Sequence, residues 1–226
     1  MKIVDNLVIG SGPSGSITAF ELINAKRNVL LIEAGSHHTL DSCKPYSTLE
    51  MEQKYKYGGL TPAYGNPKLS YVEGSCVGGG SEVNSGFYHR TPNSILESWK
   101  NDYHIKDFST ESLIKHFEVI ENKISVSSIP EPSSVAKASL KLKEGADKLG
   151  WKSMEVPRWF KFNKKNQGIK QSMTNTYVKW YLDKGGELLS DILATKIKFF
   201  KKKWMVTCSE KNSKNELIIM AKNVFL

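Results

Sequence analysis

Ile3-Val4-Asp5-Asn6-Leu7-Val8-Ile9-Gly10-Ser11-Gly12-Pro13-Ser14-Gly15 decides the fold. The first seven residues are a short, mostly apolar run rich in β-branched side chains, the pattern of a buried parallel strand. Three glycines follow at the spacing of a dinucleotide-binding turn. Gly10 permits the tight turn, Gly12 lets backbone approach a pyrophosphate, and Gly15 lets the following helix pack close to the strand. Residues 14–26 read as that helix, with Ile17, Phe20 and Ile23 on a partly apolar face and an N-terminus suited to phosphate charge. Residues 28–33 read as a second strand that ends on Glu33. A carboxylate there, about 20 residues beyond the turn, accepts both hydroxyls of an adenosine ribose and repels a 2′-phosphate. This segment alone leaves FAD and NAD open as occupants.

A second glycine-rich stretch is Gly74-Ser75-Cys76-Val77-Gly78-Gly79-Gly80-Ser81-Glu82-Val83-Asn84. It is too bare for an ordinary helix or strand. It lacks the repeated Gly/Ser composition of a linker and runs directly into Ser85-Gly86-Phe87-Tyr88-His89-Arg90-Thr91-Pro92. Backbone this bare suits close approach to a flat ligand.

At these residues the chain resembles the glucose–methanol–choline (GMC) oxidoreductases. The matching positions are Gly10, Gly12, Gly15, Glu33, Gly78, Gly79, Ser81, Asn84 and Arg90, with further likeness at Lys170–Tyr177 and Ala221–Leu226. The resemblance covers nearly the whole chain but only about the first half or less of a usual member. It implies an FAD-binding fold and oxidation of an alcohol to a carbonyl by hydride transfer to the flavin. It puts Pro13 and Ser14 at the phosphate turn, Glu33 at the ribose, and Gly79, Gly80, Asn84 and Ser85 along the flavin. It also puts Ile197 at the adenine. Many members carry serine where this chain has Gly80, so that hydroxyl contact is either missing or taken by Ser81. Members with covalent FAD carry histidine just before the signature asparagine; Val83 stands there, which implies non-covalent FAD. The family's histidine base lies in its C-terminal part, and none of His37, His38, His89, His104 or His116 matches that motif, so no catalytic residue is assigned.

The expected fold is α/β: a Rossmann-like FAD-binding domain with a parallel sheet, plus helical and β segments on the substrate side, incomplete toward the C-terminus. Its expected divisions are an FAD-binding part at 1–100, a helical substrate-side segment at 101–185, and a β-rich return at 186–226. Residues 36–70 are turn-rich and read as an extended excursion over the cofactor. Helices are expected at 109–125, from a Ser133 or Ser134 cap through Leu149, and at 174–183, all three on the substrate side. Strands are expected at 187–190, 193–200, 204–209 and 216–226, with a hairpin turn at Lys201–Lys203. Trp151, Trp159, Trp180 and Trp204 read as packing residues.

Composition bounds the partners. The net charge is +9, but the excess is scattered lysine, with arginine only at Arg27, Arg90 and Arg158. That pattern argues against nucleic acid, whose recognition favours arginine. No apolar run is long enough for a membrane span. The fingerprint begins at Ile3, which leaves no room for a signal peptide, and the odd count of three cysteines opposes a disulfide framework, so the cytoplasm is expected. No metal-ligand pattern is present. The expected partners are a small alcohol and a second polypeptide that supplies the catalytic part. The alternatives are the FAD-binding subunit of a split enzyme, a non-catalytic remnant, and an NAD-dependent Rossmann dehydrogenase.

Overall fold

The computed structural model describes residues 1–39, 41–106, 109–129, 136–165, 167–211, 213 and 215–226. In chain order the first elements are β1 (Lys2–Ile9), α1 (Pro13–Asn24), β2 (Val29–Ile32), α2 (Thr48–Lys54), β3 (Thr61–Ala63), β4 (Leu69–Tyr71) and α3 (Gly80–Val83). Then come α4 (Asn93–Asn101), α5 (Thr110–Lys123), β5 (Val126–Ser127), α6 (Lys137–Lys148), β6 (Arg158–Phe162) and β7 (Gly168–Lys170). The last are α7 (Tyr177–Asp183), β8 (Glu187–Leu189), β9 (Ile192–Phe200), β10 (Lys203–Glu210) and β11 (Glu216–Phe225).

The chain forms two compact units, Met1–Asn84 with Ser172–Leu226, and Ser85–Gln171. These boundaries differ from the expected divisions at 100 and 185. Residues 85–100 leave the first unit because Gly86 accepts the Trp159 N–H at 3.0 Å and Phe87 bridges Arg158. Residues 172–185 rejoin it because α7 packs on α1: Phe20 meets Tyr177 edge-on at 5.5 Å and Trp180 at 5.8 Å. The helix assigned to the substrate side is therefore a layer of the first unit.

The first unit holds a six-stranded sheet in the order β8-β2-β1-β11-β10-β9. The four strands from β8 to β11 run parallel, while β11-β10-β9 is an antiparallel meander, so the sheet is mixed and not wholly parallel. All four residues of β2 are buried, as expected of a parallel strand covered on both faces. Val4, Leu7, Leu30, Ile32, Ile192, Val206, Cys208, Ile219 and Ala221 form one core cluster. The β9–β10 turn falls at Lys201 and Lys202, both at positive φ (49° and 63°), the hairpin geometry that matches strand twist.

Tyr181 ties α7 to the sheet. It is fully buried, and its hydroxyl lies 2.9 Å from the Val29 carbonyl and 2.8 Å from that of Glu187, reaching β2 and β8 together. Gly186 makes room for the ring, since a Cβ there would stand 2.4 Å from it. The expected 174–183 helix is broken: a 3-10 turn spans Met173–Asn175, and Thr176 donates its hydroxyl to the Ser172 carbonyl before α7 begins. Helix α2 lies within the stretch read as an extended excursion; Ser47 caps it by accepting the Glu50 N–H at 3.2 Å.

The second unit carries a three-stranded sheet, β5-β6-β7, with α4, α5 and α6. The helix expected at 109–125 is present as α5, and Ser109 caps it by accepting the Ser112 N–H at 3.2 Å. The Ser133 and Ser134 cap lies outside the described residues, and α6 starts from Ala136 without a side-chain cap. Trp159 is buried, whereas Trp151 is 68% exposed and does not pack as expected.

Replacing Tyr181 by phenylalanine should cost about 1–2 kcal/mol in urea unfolding, because it removes the single phenolic proton that the Val29 and Glu187 carbonyls share. Burial pushes both Tyr177 and Tyr181 up to about 12. The unfolded tyrosines ionise near pH 10, about two units earlier. The stability these phenols contribute is therefore complete below about pH 10 and lost as pH rises toward 12. A melting series against pH, with and without Tyr181→Phe, checks the sign.

Candidate functional site

The site grows from the C-terminal ends of β1 and β2. The Gly10 N–H donates to the Ile32 carbonyl at 2.8 Å, which fixes the turn onto β2. Helix α1 then starts with Gly12 at its N-cap and Pro13 in its first turn, and no side chain caps it. The first-turn N–H groups of a helix have no intrahelical acceptor, and the dipole there favours an anion. Pro13 and Ser14 are exposed at this end. At Gly15 an added Cβ would lie 1.8 Å from the Gly10 carbonyl oxygen, so only glycine lets the helix leave the turn this closely.

Glu33 closes the other side. Its Oε2 accepts both the Ser11 N–H and the Ser11 hydroxyl at 2.8 Å, and its Oε1 accepts the Gly35 N–H at 2.8 Å. The carboxylate is thus held against the first glycine turn before any ligand is considered.

The second glycine stretch folds onto the first. Ser36 and Cys76 form a parallel bridge, and the Val77 N–H reaches the Ser36 carbonyl at 3.1 Å. The Gly78 N–H donates to Ser11 Oγ at 3.1 Å. At Gly79 (φ 57°) a Cβ would stand 2.8 Å from the Gly12 Cα, so two bare backbones meet here. At Gly80 a Cβ would meet nothing within 4 Å.

Ser81 is placed differently from its expected role along the ligand. It is fully buried; its hydroxyl donates to the Gly78 carbonyl at 2.7 Å and accepts the Met173 N–H at 2.9 Å. It shapes the cradle from behind. Beside it, Glu82 Oε1 accepts the Thr174 hydroxyl at 2.8 Å and pins α3 to the 3-10 turn before α7. Asn84 ends α3, its N–H donating to the Gly80 carbonyl, and Ser85 is the exposed first residue of the second unit.

Ile197 is not brought to this end. The residue of β9 beside Glu33 is Ile192, whose N–H donates to the Glu33 carbonyl at 2.8 Å. Ile197 lies about 16 Å further along the strand. Its register through Val206 and Ile219 leads to Lys2, at the opposite end of β1. The structure therefore gathers Gly10, Gly12, Pro13, Ser14, Gly15, Glu33, Gly79 and Gly80 and leaves Ile197 out. Sequence reading missed Ser11, which stands at a variable position of the glycine pattern; its hydroxyl beside an acid-terminated strand was the available signal.

In the second unit, Arg90 is committed to Glu121, with Nε at 2.6 Å and Nη2 at 2.7 Å, and the Tyr88 hydroxyl adds a third bond at 2.9 Å. Arg90 holds Glu121 below the usual carboxylate range, and burial helped by Glu121 pushes Tyr88 up to about 12. These groups line a cleft of ≈ 420 Å³ together with His89, Ser127 and Met154. Another cavity, of ≈ 530 Å³, lies at the far end of α1 among Asp5, Asn6, Asn28 and Asn223. Burial and then Lys54 lower the His38 pKa. Among the described residues, no three His, Cys, Asp or Glu side chains gather as a metal site, and no helix is long and apolar enough to cross a membrane.

A profile described as GMC oxidoreductase matches residues 4–226. The chain belongs to the GMC oxidoreductase family. An uncharacterized GMC-type oxidoreductase, y4nJ of Sinorhizobium fredii, is 33% identical over 205 residues, covering 87% of this chain and 40% of that protein. Long-chain-alcohol oxidase FAO3 of Arabidopsis thaliana is 30% identical over 154 residues, covering 68% of this chain and 20% of that protein. Among solved structures, pyridoxine 4-oxidase from Mesorbium loti aligns over 98% of this chain and 48% of its own, with a TM-score of 0.73 at 15% identity. A fungal aryl-alcohol oxidase gives a TM-score of 0.71 at 16% identity, covering 98% and 45%. The chain spans two fifths or less of the length of these two curated relatives.

Two glycine substitutions separate the scaffold from the cradle. Gly15→Ala should lower stability by more than about 3 kcal/mol or leave the chain insoluble, because backbone must move. Gly80→Ala should leave the melting temperature unchanged or slightly raised, since alanine gains up to about 1 kcal/mol in a helix. Thermal melts of both variants, without ligand, check the pair.

Proposed function

We propose that this chain is the FAD-binding part of an oxidoreductase that acts on the CH–OH group of an alcohol. The observation that carries the reading is the seating of Gly79 on Gly12, which brings a second bare segment onto a dinucleotide turn already closed by Glu33. A single-turn NAD site has no standard need for that second segment. The α1 N-terminus would hold the pyrophosphate, and the fixed Glu33 carboxylate would accept from the adenosine ribose. The bare backbone at Gly79 and Gly80 leaves room for a flat ring system. Bound there, FAD would accept the hydride that leaves the alcohol carbon as it becomes a carbonyl.

Attachment is non-covalent on this reading: Val83 precedes Asn84, and an aliphatic side chain offers no nucleophile to the ring. The hydroxyl proton needs a base that none of the five histidines matches in the family pattern. We therefore assign the base, the substrate pocket and turnover to a part of the enzyme outside these 226 residues, a reading supported by the share of the relatives that this chain spans. The three cysteines are all free, which supports a reducing compartment such as the cytoplasm.

The test is the visible spectrum of the purified chain after FAD is added and the excess removed. A protein-perturbed flavin spectrum is expected, with all colour in the supernatant after acid precipitation. Glu33→Gln should weaken FAD by about tenfold through loss of the charge facing the ribose. The chain alone should not reduce an artificial acceptor with alcohols. An unperturbed spectrum and no retained flavin would reject the cofactor; colour in the acid pellet would reject non-covalent attachment.

A further inference from the structure

We infer that Ser11 is a positioning residue that orients the Glu33 carboxylate and couples it to the second glycine segment, which sets how the adenosine end of the ligand is held. This rests on the FAD reading above and adds a residue that lies behind the cradle.

The argument is one of hydrogen-bond capacity. Ser11 is fully buried. A hydroxyl has one proton to donate and two lone pairs to accept with. The Ser11 proton goes to Glu33 Oε2, and one lone pair takes the buried Gly78 N–H. The Ser11 N–H reaches the same Oε2. Both bonds to the carboxylate are charge-assisted, which makes them short and directional.

The count on Glu33 follows. An ionised carboxylate offers about four lone-pair positions. Ser11 fills two on Oε2 and Gly35 fills one on Oε1, which leaves one position, on Oε1, for a ligand hydroxyl. Glu33 would then take one ribose hydroxyl and not both. The Ser11 side chain decides which oxygen is free, and its hold on Gly78 makes that choice depend on the second segment being in place.

Removing the hydroxyl separates orientation from charge. In Ser11→Ala the Glu33 charge and the backbone N–H bond remain, but the carboxylate loses a donor and the Gly78 N–H loses its acceptor. FAD and FMN share the flavin and its first phosphate, and only FAD carries the adenosine. The experiment measures flavin-fluorescence titrations of FAD and of FMN on the full chain, wild type, Ser11→Ala and Ser11→Thr, with a flavin-free melting curve for each. The expected result is a fall of about tenfold in the preference for FAD over FMN in Ser11→Ala, with recovery in Ser11→Thr, which keeps a hydroxyl. An unchanged preference, or equal weakening of both flavins beside a lower melting temperature, would show a merely structural serine and overturn the assignment. Wild-type chain that binds neither flavin would overturn the cofactor reading itself, a failure distinct from the other two.

Discussion

Glu33 is the point to which the C-terminal edge of the sheet is referred. Its backbone N–H donates to the Leu189 carbonyl and its own carbonyl accepts the Ile192 N–H, so the turn from β8 into β9 is strung across it. Its side chain holds Ser11 and Gly35. One residue thus joins β2, the first glycine turn and the entry to the meander. The geometry explains why an acid is useful there even without a ligand. Two N–H groups and a hydroxyl converge on it, and a carboxylate accepts without needing a proton of its own.

The second constraint is steric. The cradle exists because backbone touches backbone at Gly15 on Gly10, at Gly79 on Gly12 and at Gly74 on Gly79. Each contact gives up the side chain that would have contributed burial and reduced unfolded-state entropy. The compensation comes from the layers beneath. Phe20, Tyr177 and Trp180 interlock between α1 and α7, and Tyr181 anchors α7 to two strands. Buried Ser81 and Glu82 then pin the second glycine stretch to the residues just before α7. The bare loops are positioned by well-packed neighbours and need no rigidity of their own.

This arrangement explains which parts were legible in the sequence. The β1–α1–β2 unit was readable because its determinants are local: an apolar run, three spaced glycines and an acid at the next strand's end. The meander strands are readable at nearly their observed bounds, with the lysine turn between β9 and β10. Ile197 lies away from Glu33 because position in an antiparallel meander depends on register, which the Lys201–Lys202 turn and a bulge near Thr207 set, and a family resemblance over this stretch does not carry register. Helix α7 was found but assigned to the wrong layer, since its apolar Tyr177, Val178 and Tyr181 face announces burial without naming the surface that buries it. Helix α2 was hidden among prolines and glycines, although Ser47 and Glu50 carry a Ser-x-x-Glu start signal. The resemblance leaves open whether Ser81 replaces the hydroxyl that Gly80 lacks; the Met173 N–H and the Gly78 carbonyl behind it turn the Ser81 hydroxyl inward.

The order of the chain through the sheet bears on how the site can form. β1 pairs with β2, its near neighbour in sequence, on one side, and with β11 on the other, where Lys2 lies opposite Ile219 and Val8 opposite Phe225. The local half can assemble from residues 1–33 alone. The pairing that buries β1 from the second side must wait until the whole of the second unit, Ser85–Gln171, has been bridged. Closing so long a loop costs entropy before its contacts reward it, so this pairing is the slow and non-local part of folding. Glu33 belongs to both stages. Its carboxylate bonds to Ser11 and Gly35 are local, whereas its backbone bonds to Leu189 and Ile192 form only when the later segment returns. The first glycine turn can thus be shaped early, but its partner at Gly78–Gly80 becomes fixed only once Met173 and Thr174 arrive to hold Ser81 and Glu82. A complete cradle is consequently a property of the closed first unit and not of the fingerprint segment.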